Sequence, residues 1–251
     1  MATISLANGL KTLFSVLGTI MLAIVLYTVI TDGLPFRKEL LTPWMAATLI
    51  DFYINIAILS AWVIYKEANW ISSILWIILL IGLGSIATSA YIVVQFLKLS
   101  SQESSQDPMY YVLLRQPHKY VYKKTTIESG TEPKTKCSIV ATLRILFGIL
   151  GVVMLGTLVY TLVTDGSPFR TELLTPWMDA TLVDFYINVV ALAVWVAYKE
   201  SSWIYAVFWV ILLICFGSIT SCMYVVLQLF QISSQDPAYL ILVRHSDRKQ
   251  I

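Results

Sequence analysis

One stretch appears twice in the chain, and it constrains the fold more than any other feature. Residues 42–55 read TPWMAATLIDFYIN and residues 175–188 read TPWMDATLVDFYIN. Each runs from a Thr-Pro-Trp helix start into an apolar segment that carries a carboxylate, Asp51 or Asp184, part-way down. A carboxylate in a helix of hydrocarbon-grade composition costs on the order of 2.5–3.5 kcal/mol even on insertion scales. Incurring that cost twice, at equivalent places, marks a site or a registering contact. The duplication extends beyond this stretch: between residues 31–70 and 164–203, at a constant offset of 133, 28 of 40 positions are identical.

Composition decides the class. Of 251 residues 58% are hydrophobic and only 13% charged, against about 25% charged in a soluble domain. The apolar runs predict spans at about 12–31, 45–65 and 71–97, then at about 140–163, 178–198 and 204–230, each long enough for a hydrocarbon core of about 30 Å. The first run reads as a retained helix rather than a signal peptide, because its counterpart at 145–164 is internal. The predicted fold is therefore all-α, a polytopic membrane protein of about six transmembrane helices. Its units are a three-helix repeat over 1–98, a polar linker over 99–137, a second three-helix repeat over 138–232 and a polar tail over 233–251. The tract at 109–122 is too short and too polar to cross, though its tyrosines suit an interface. Three spans per repeat is an odd number and the linker adds none, so the two repeats are expected to be inverted. On that topology the positive-inside rule puts the linker in the cytosol and both termini outside.

Helical spacing turns the duplicated stretch into a face. Thr48, Asp51 and Asn55 line one side of the second helix, and Thr181, Asp184 and Asn188 line the matching side in the other half. The third helix carries a second polar stripe, Ser85, Thr88, Tyr91 and Gln95, matched by Ser218, Ser221, Tyr224 and Gln228. Polar groups in hydrocarbon need partners, so the two stripes are expected to face each other. Two readings stay open. In one, the six residues of the first face form a central binding site of a small transporter-like protein, answering to a proton, a cation or a small molecule. In the other, a structural or assembly protein, the same residues are helix-packing contacts, with Lys11 or Arg144 as alternative partners for the carboxylates.

Other polar residues have plainer readings. Asp179, where the first half has Ala46, falls in the first helical turn and suits the helix dipole. Thr42 is the expected N-cap with Pro43 at the first helical position and Trp44 at headgroup level. Cys215 and Cys222 replace Gly82 and Ser89, so they read as small packing residues. The net charge of +2 argues for no nucleic-acid partner, which leaves the lipid bilayer as the expected one. No phosphate loop, HExxH or nucleophile elbow occurs, and His118 and His245 match nothing catalytic. Neither a cofactor, a metal nor catalytic residues are expected.

The twice-used TDGxPFRxELLTPWMxATLxDFYIN, followed by W-V-x-Y-K-E-x-x-W, resembles a plant membrane-protein family catalogued as domain of unknown function 1475, over essentially the whole chain. Each half is also loosely similar to small three-span bacterial membrane proteins of unknown function. That likeness rests on Asp51 and Asp184, the K-E-x-x-W turn and a Gly-Ser-rich third helix, and it implies that a fusion replaced a dual-oriented dimer. Neither resemblance implies an activity.

Overall fold

The computed structural model describes residues 2–115, 139–233 and 236–244. Most of the linker with the end of the 109–122 tract, His118 and the tail from His245 lie outside the described residues. In chain order the helices are α1 (Ala2–Asp32), α2 (Pro43–Lys66), α3 (Trp70–Leu83), α4 (Ser85–Leu97), the short α5 (Ser101–Gln106) and α6 (Pro108–Leu113), then α7 (Ile139–Asp165), α8 (Pro176–Lys199), α9 (Trp203–Phe216) and α10 (Ser218–Phe230). Among the described residues there is no strand. Four helices, α1, α2, α7 and α8, are long and apolar enough to cross a membrane. The outer faces of α1 and α7 leave Leu26, Ile30, Val152 and Val163 exposed, a surface suited to hydrocarbon and costly in water.

Local chemistry explains the long helices. Arg37 pairs with Asp32 at 2.6 Å and Arg170 with Asp165 at 2.9 Å, drawing the loop after each first helix back on itself. Thr42 and Thr175 then accept hydrogen bonds from the amides of Met45 and Met178, both at 3.2 Å, with Pro43 and Pro176 opening the helices. Trp44 and Trp177 lie in the first turns of these helices. They are buried with Met45 and Met178 in one cluster shared by the two halves, and Trp177 Nε1 donates to the carbonyl of Gly33 at 3.1 Å. Trp44 Nε1 is buried with no hydrogen bond among the described residues.

The third predicted span is a helical hairpin instead. It breaks at Gly84 in the first half and at Gly217 in the second, and the chain folds back. The ring centroids of Trp76 and Tyr91 lie 4.9 Å apart, and those of Trp209 and Tyr224 lie 5.0 Å apart. Fifteen residues of continuous helix would separate such rings by about 22 Å. Thr220 also donates to the Leu212 carbonyl across the bend at 2.9 Å. Each arm of 13 or 14 residues is about 20 Å long, too short for a 30 Å core. Six full-length spans are thus corrected to four long helices and two hairpins.

This changes how the halves relate. The starts of α2 and α8 meet in the Trp–Met cluster. Near their other ends Tyr65 stacks on Tyr239 (5.6 Å between centroids), and Tyr198 Oη donates to Asp107 at 2.8 Å. The two helices therefore run in the same direction, and the expected inversion gives way to a parallel pair. Because the hairpin returns, each half starts and finishes at one end of the bundle, here called the linker end. At the centre α2 packs on α8; α2 also touches α7 and α10, and α8 touches α1 and α4. Small residues let the outer helices close in: a Cβ on Gly18 would lie 3.0 Å from Ser89 Cβ, and one on Gly151 would lie 3.2 Å from Cys222 Cβ.

Candidate functional site

The site is the pair of hairpin tips. Gly84 adopts φ 54° and ψ −128°, and Gly217 φ 51° and ψ −126°, a region that a residue with a Cβ occupies only under strain. The turn also leaves the first amides of α4 and α10 without helical acceptors. Carboxylates from the opposite half fill that need. Asp184 on α8 accepts from the Ser85 amide at 2.7 Å, and Asp51 on α2 accepts from the Ser218 amide at 2.7 Å. Each carboxylate lies so close that a Cβ on Gly84 or Gly217 would overlap it. A negative group at a helix start is favoured by the aligned peptide dipoles as well as by the hydrogen bond.

Lengths explain why the tips reach these positions. Asp51 stands eight residues into α2, about 12 Å from its start, and the remainder of a 24-residue helix is about 24 Å. A hairpin arm of 13 or 14 residues, entering from the linker end, reaches about 20 Å. Both tips therefore stop at the depth of the carboxylates.

One turn further along, the halves differ. Thr88 donates to Asn188 Oδ1 at 2.7 Å, and Asn188 Nδ2 donates to the Asp184 carbonyl at 3.2 Å. Its counterpart Asn55 is fully buried with neither side-chain atom hydrogen-bonded among the described residues, and Ser221 bonds only the Gly217 carbonyl of its own helix at 3.3 Å. Thr88→Val is expected to lower stability by about 1–3 kcal/mol, because it strands the Asn188 oxygen. Ser221→Ala should cost clearly less. Melting of the two variants in detergent decides this, and equal losses would contradict the asymmetry.

The remaining candidates separate. Thr48 and Thr181 bond the carbonyls of Trp44 (2.9 Å) and Trp177 (2.7 Å) in their own helices and do not join the carboxylates. Ser85 and Ser218 contribute their amides, and their hydroxyls lie against the same carboxylates. Tyr91 and Gln95 do not face the Asp51 side of the bundle. They donate to Glu67 at 3.0 and 3.2 Å, and Tyr224 donates to Glu200 at 2.7 Å, with Gln228 in the matching place on α10. These glutamates went unnoticed in the sequence. The signal was there, since Tyr91 and Gln95 need a partner and Glu67 ends the preceding helix, but a straight third helix would have carried them away from it.

The basic residues serve helix ends. Arg144, an expected alternative partner for a carboxylate, instead donates to the carbonyls of Leu229 (2.9 Å) and Ile232 (2.8 Å) at the end of α10. A cation favours that end of a helix as an anion favours its start. Lys66 donates to the carbonyls of Tyr111 and Leu114, and Lys199 to that of Val243 at 2.8 Å, fastening the post-hairpin segments of both halves. Among the described residues no group of three or more His, Cys, Asp or Glu side chains is placed to hold a metal ion.

These features define a class: an all-helical protein with helices fit to cross a membrane and two hairpins fastened by half-buried carboxylates. The chain belongs to the family described as Protein of unknown function (DUF1475), which matches residues 5–120 and 60–249. No curated protein and no solved structure matches it.

Proposed function

We propose that the chain is a multi-pass integral membrane protein with four spans and two re-entrant hairpins, and that it is a small transporter-like protein whose hairpins are proton-sensitive gates. The observation that carries this reading is the exchange of Asp51 and Asp184 between the halves, each on the start of the other half's inner hairpin arm. Irregular backbone at membrane depth is tolerated only inside protein or against a cavity, and parallel repeats with broken helices at the midplane recur in transporters. Proton uptake by either carboxylate removes the charge that the helix start favours and loosens one tip. Alternating access by inverted repeats is no part of this mechanism.

The topology also favours one orientation. Among the described residues Lys11, Lys66, Lys98, Arg115, Arg144, Lys199 and Arg244 belong to the linker end, against Arg37, Lys38 and Arg170 at the other. The positive-inside rule places the linker end in the cytosol. The second reading, a structural or assembly protein, is favoured by the tight fit of each carboxylate against its glycine, which leaves no room for a ligand.

Proton flux in proteoliposomes under an imposed pH gradient separates the two. A gate predicts flux in the wild type whose pH dependence Asp51→Asn and Asp184→Asn abolish while folded yield persists. No flux in the wild type, or yield falling in step with it, supports the structural reading.

A further inference from the structure

A cavity of about 560 Å³ opens between the halves at the linker end, well away from the hairpin tips. This is within the range of about 300–1,000 Å³ typical of small-molecule sites, and about four times an apolar cavity known to hold benzene. Both halves build it. The ends of α2 and α8 supply Leu59, Trp62, Leu192 and Trp195, α7 supplies Leu143 and Phe147, and α6 with the short turn at Ala238–Leu242 closes it over. Of the polar atoms of its lining residues, Trp62 Nε1 donates to the Leu113 carbonyl at 3.2 Å and Tyr65 Oη accepts from the Arg115 amide at 3.4 Å, while Trp195 Nε1 has no hydrogen bond among the described residues.

We infer that this cavity takes an acyl chain of an anionic membrane phospholipid. A wall this apolar disfavours any ligand whose buried part needs hydrogen bonds, which leaves hydrocarbon. Two of the lining residues, Ile64 and Ile139, are 57% and 70% exposed, so the mouth lies on the apolar flank of the bundle and a chain enters from the side. Charge selects the headgroup. Both covering segments run directly into arginine, Arg115 after α6 and Arg244 after the Ala238–Leu242 turn, at the end where the basic residues gather. An anionic leaflet is attracted to such an end. The inference rests on the membrane placement but not on the proton-gate reading, and its test needs no flux.

The test reconstitutes the full chain in vesicles of phosphatidylcholine and phosphatidylglycerol, with a trace of phosphatidylglycerol bearing a photoactivatable group on its acyl chain. Labelling of Met109, Leu143 and Trp195 is expected to exceed that of the outward-facing Val152 and Ile211 several-fold. Ala61→Phe and Ala191→Phe, which fill the cavity from opposite helices, should lower the inner labelling at least tenfold and leave the outer labelling unchanged. Should neither variant fold, the wild type still decides, because native mass spectrometry after detergent exchange should show one retained phosphatidylglycerol. Inner labelling no greater than outer, equal labelling by a phosphatidylcholine probe, cross-links from the wall to residues 116–138 instead of lipid, or no retained lipid would each overturn the proposal.

Discussion

Gly84→Ala and Gly217→Ala are expected to be among the most destabilising single substitutions in the chain. Forcing a side chain into the conformation at either tip costs about 1–3 kcal/mol. The new methyl group also overlaps the carboxylate seated there, and displacing that acceptor forfeits a charged hydrogen bond worth about 1.5–3 kcal/mol. At Gly217 the methyl would also come 2.7 Å from Phe185 Cζ. The controls are Gly82→Ala in α3 and Gly148→Ala in α7, where a Cβ meets nothing within 4 Å. A helical glycine gains up to about 1 kcal/mol on becoming alanine. Apparent melting temperature in detergent should therefore drop sharply for the tip variants and hold or rise for the controls. A Gly84→Ala protein that melts like the wild type would remove the physical basis of the tip.

The second large effect is expected from the carboxylates. Asp184→Ala and Asp51→Ala each remove the acceptor of a helix-start amide, for a loss of about 2 kcal/mol. Asparagine keeps an oxygen acceptor without the charge and should recover part of it. The effect must appear in the other half. In Asp184→Ala, amide exchange should quicken over 84–88, and in Asp51→Ala over 217–221. Quickening only within the mutated half would show that the exchange of carboxylates is not what holds the tips. A double-mutant cycle sharpens the point. Gly84→Ala and Asp184→Ala share one contact and should couple by about 1 kcal/mol or more, while Gly84→Ala and Asp51→Ala should simply add.

Much of this was legible in the residues, and what was missed has a physical origin. The Thr-Pro helix starts and the placement of Asp51 and Asp184 within α2 and α8 followed from capping chemistry and the duplicated text. The bend did not. The segments at 71–97 and 204–230 are apolar throughout, and hydropathy measures composition without direction, so a hairpin of two short arms reads like one long span. The cue was Gly84 and Gly217, each followed by serine, at matching places within an apolar run. A glycine there is also a common helix-packing residue, and the carboxylate that makes the bend affordable lies 100 or 166 positions away in the sequence. The inverted topology fell with the bend, because it rested on an odd number of crossings. The exchange of carboxylates between halves had no local signal, since the two stretches are nearly identical and either could have served its own hairpin.

The most direct test of the parallel, four-span arrangement is sidedness. In a protein with Cys137, Cys215 and Cys222 replaced by serine, single cysteines are placed at Leu34, Thr125, Ser167 and Arg248. Sealed vesicles of known orientation are then treated with a membrane-impermeant maleimide. Residues 125 and 248 should react from one side, and residues 34 and 167 from the other. If 125 and 248 react from opposite sides, the third segment of a half crosses fully. The hairpins, their carboxylate fastenings and the parallel halves would then all be contradicted together.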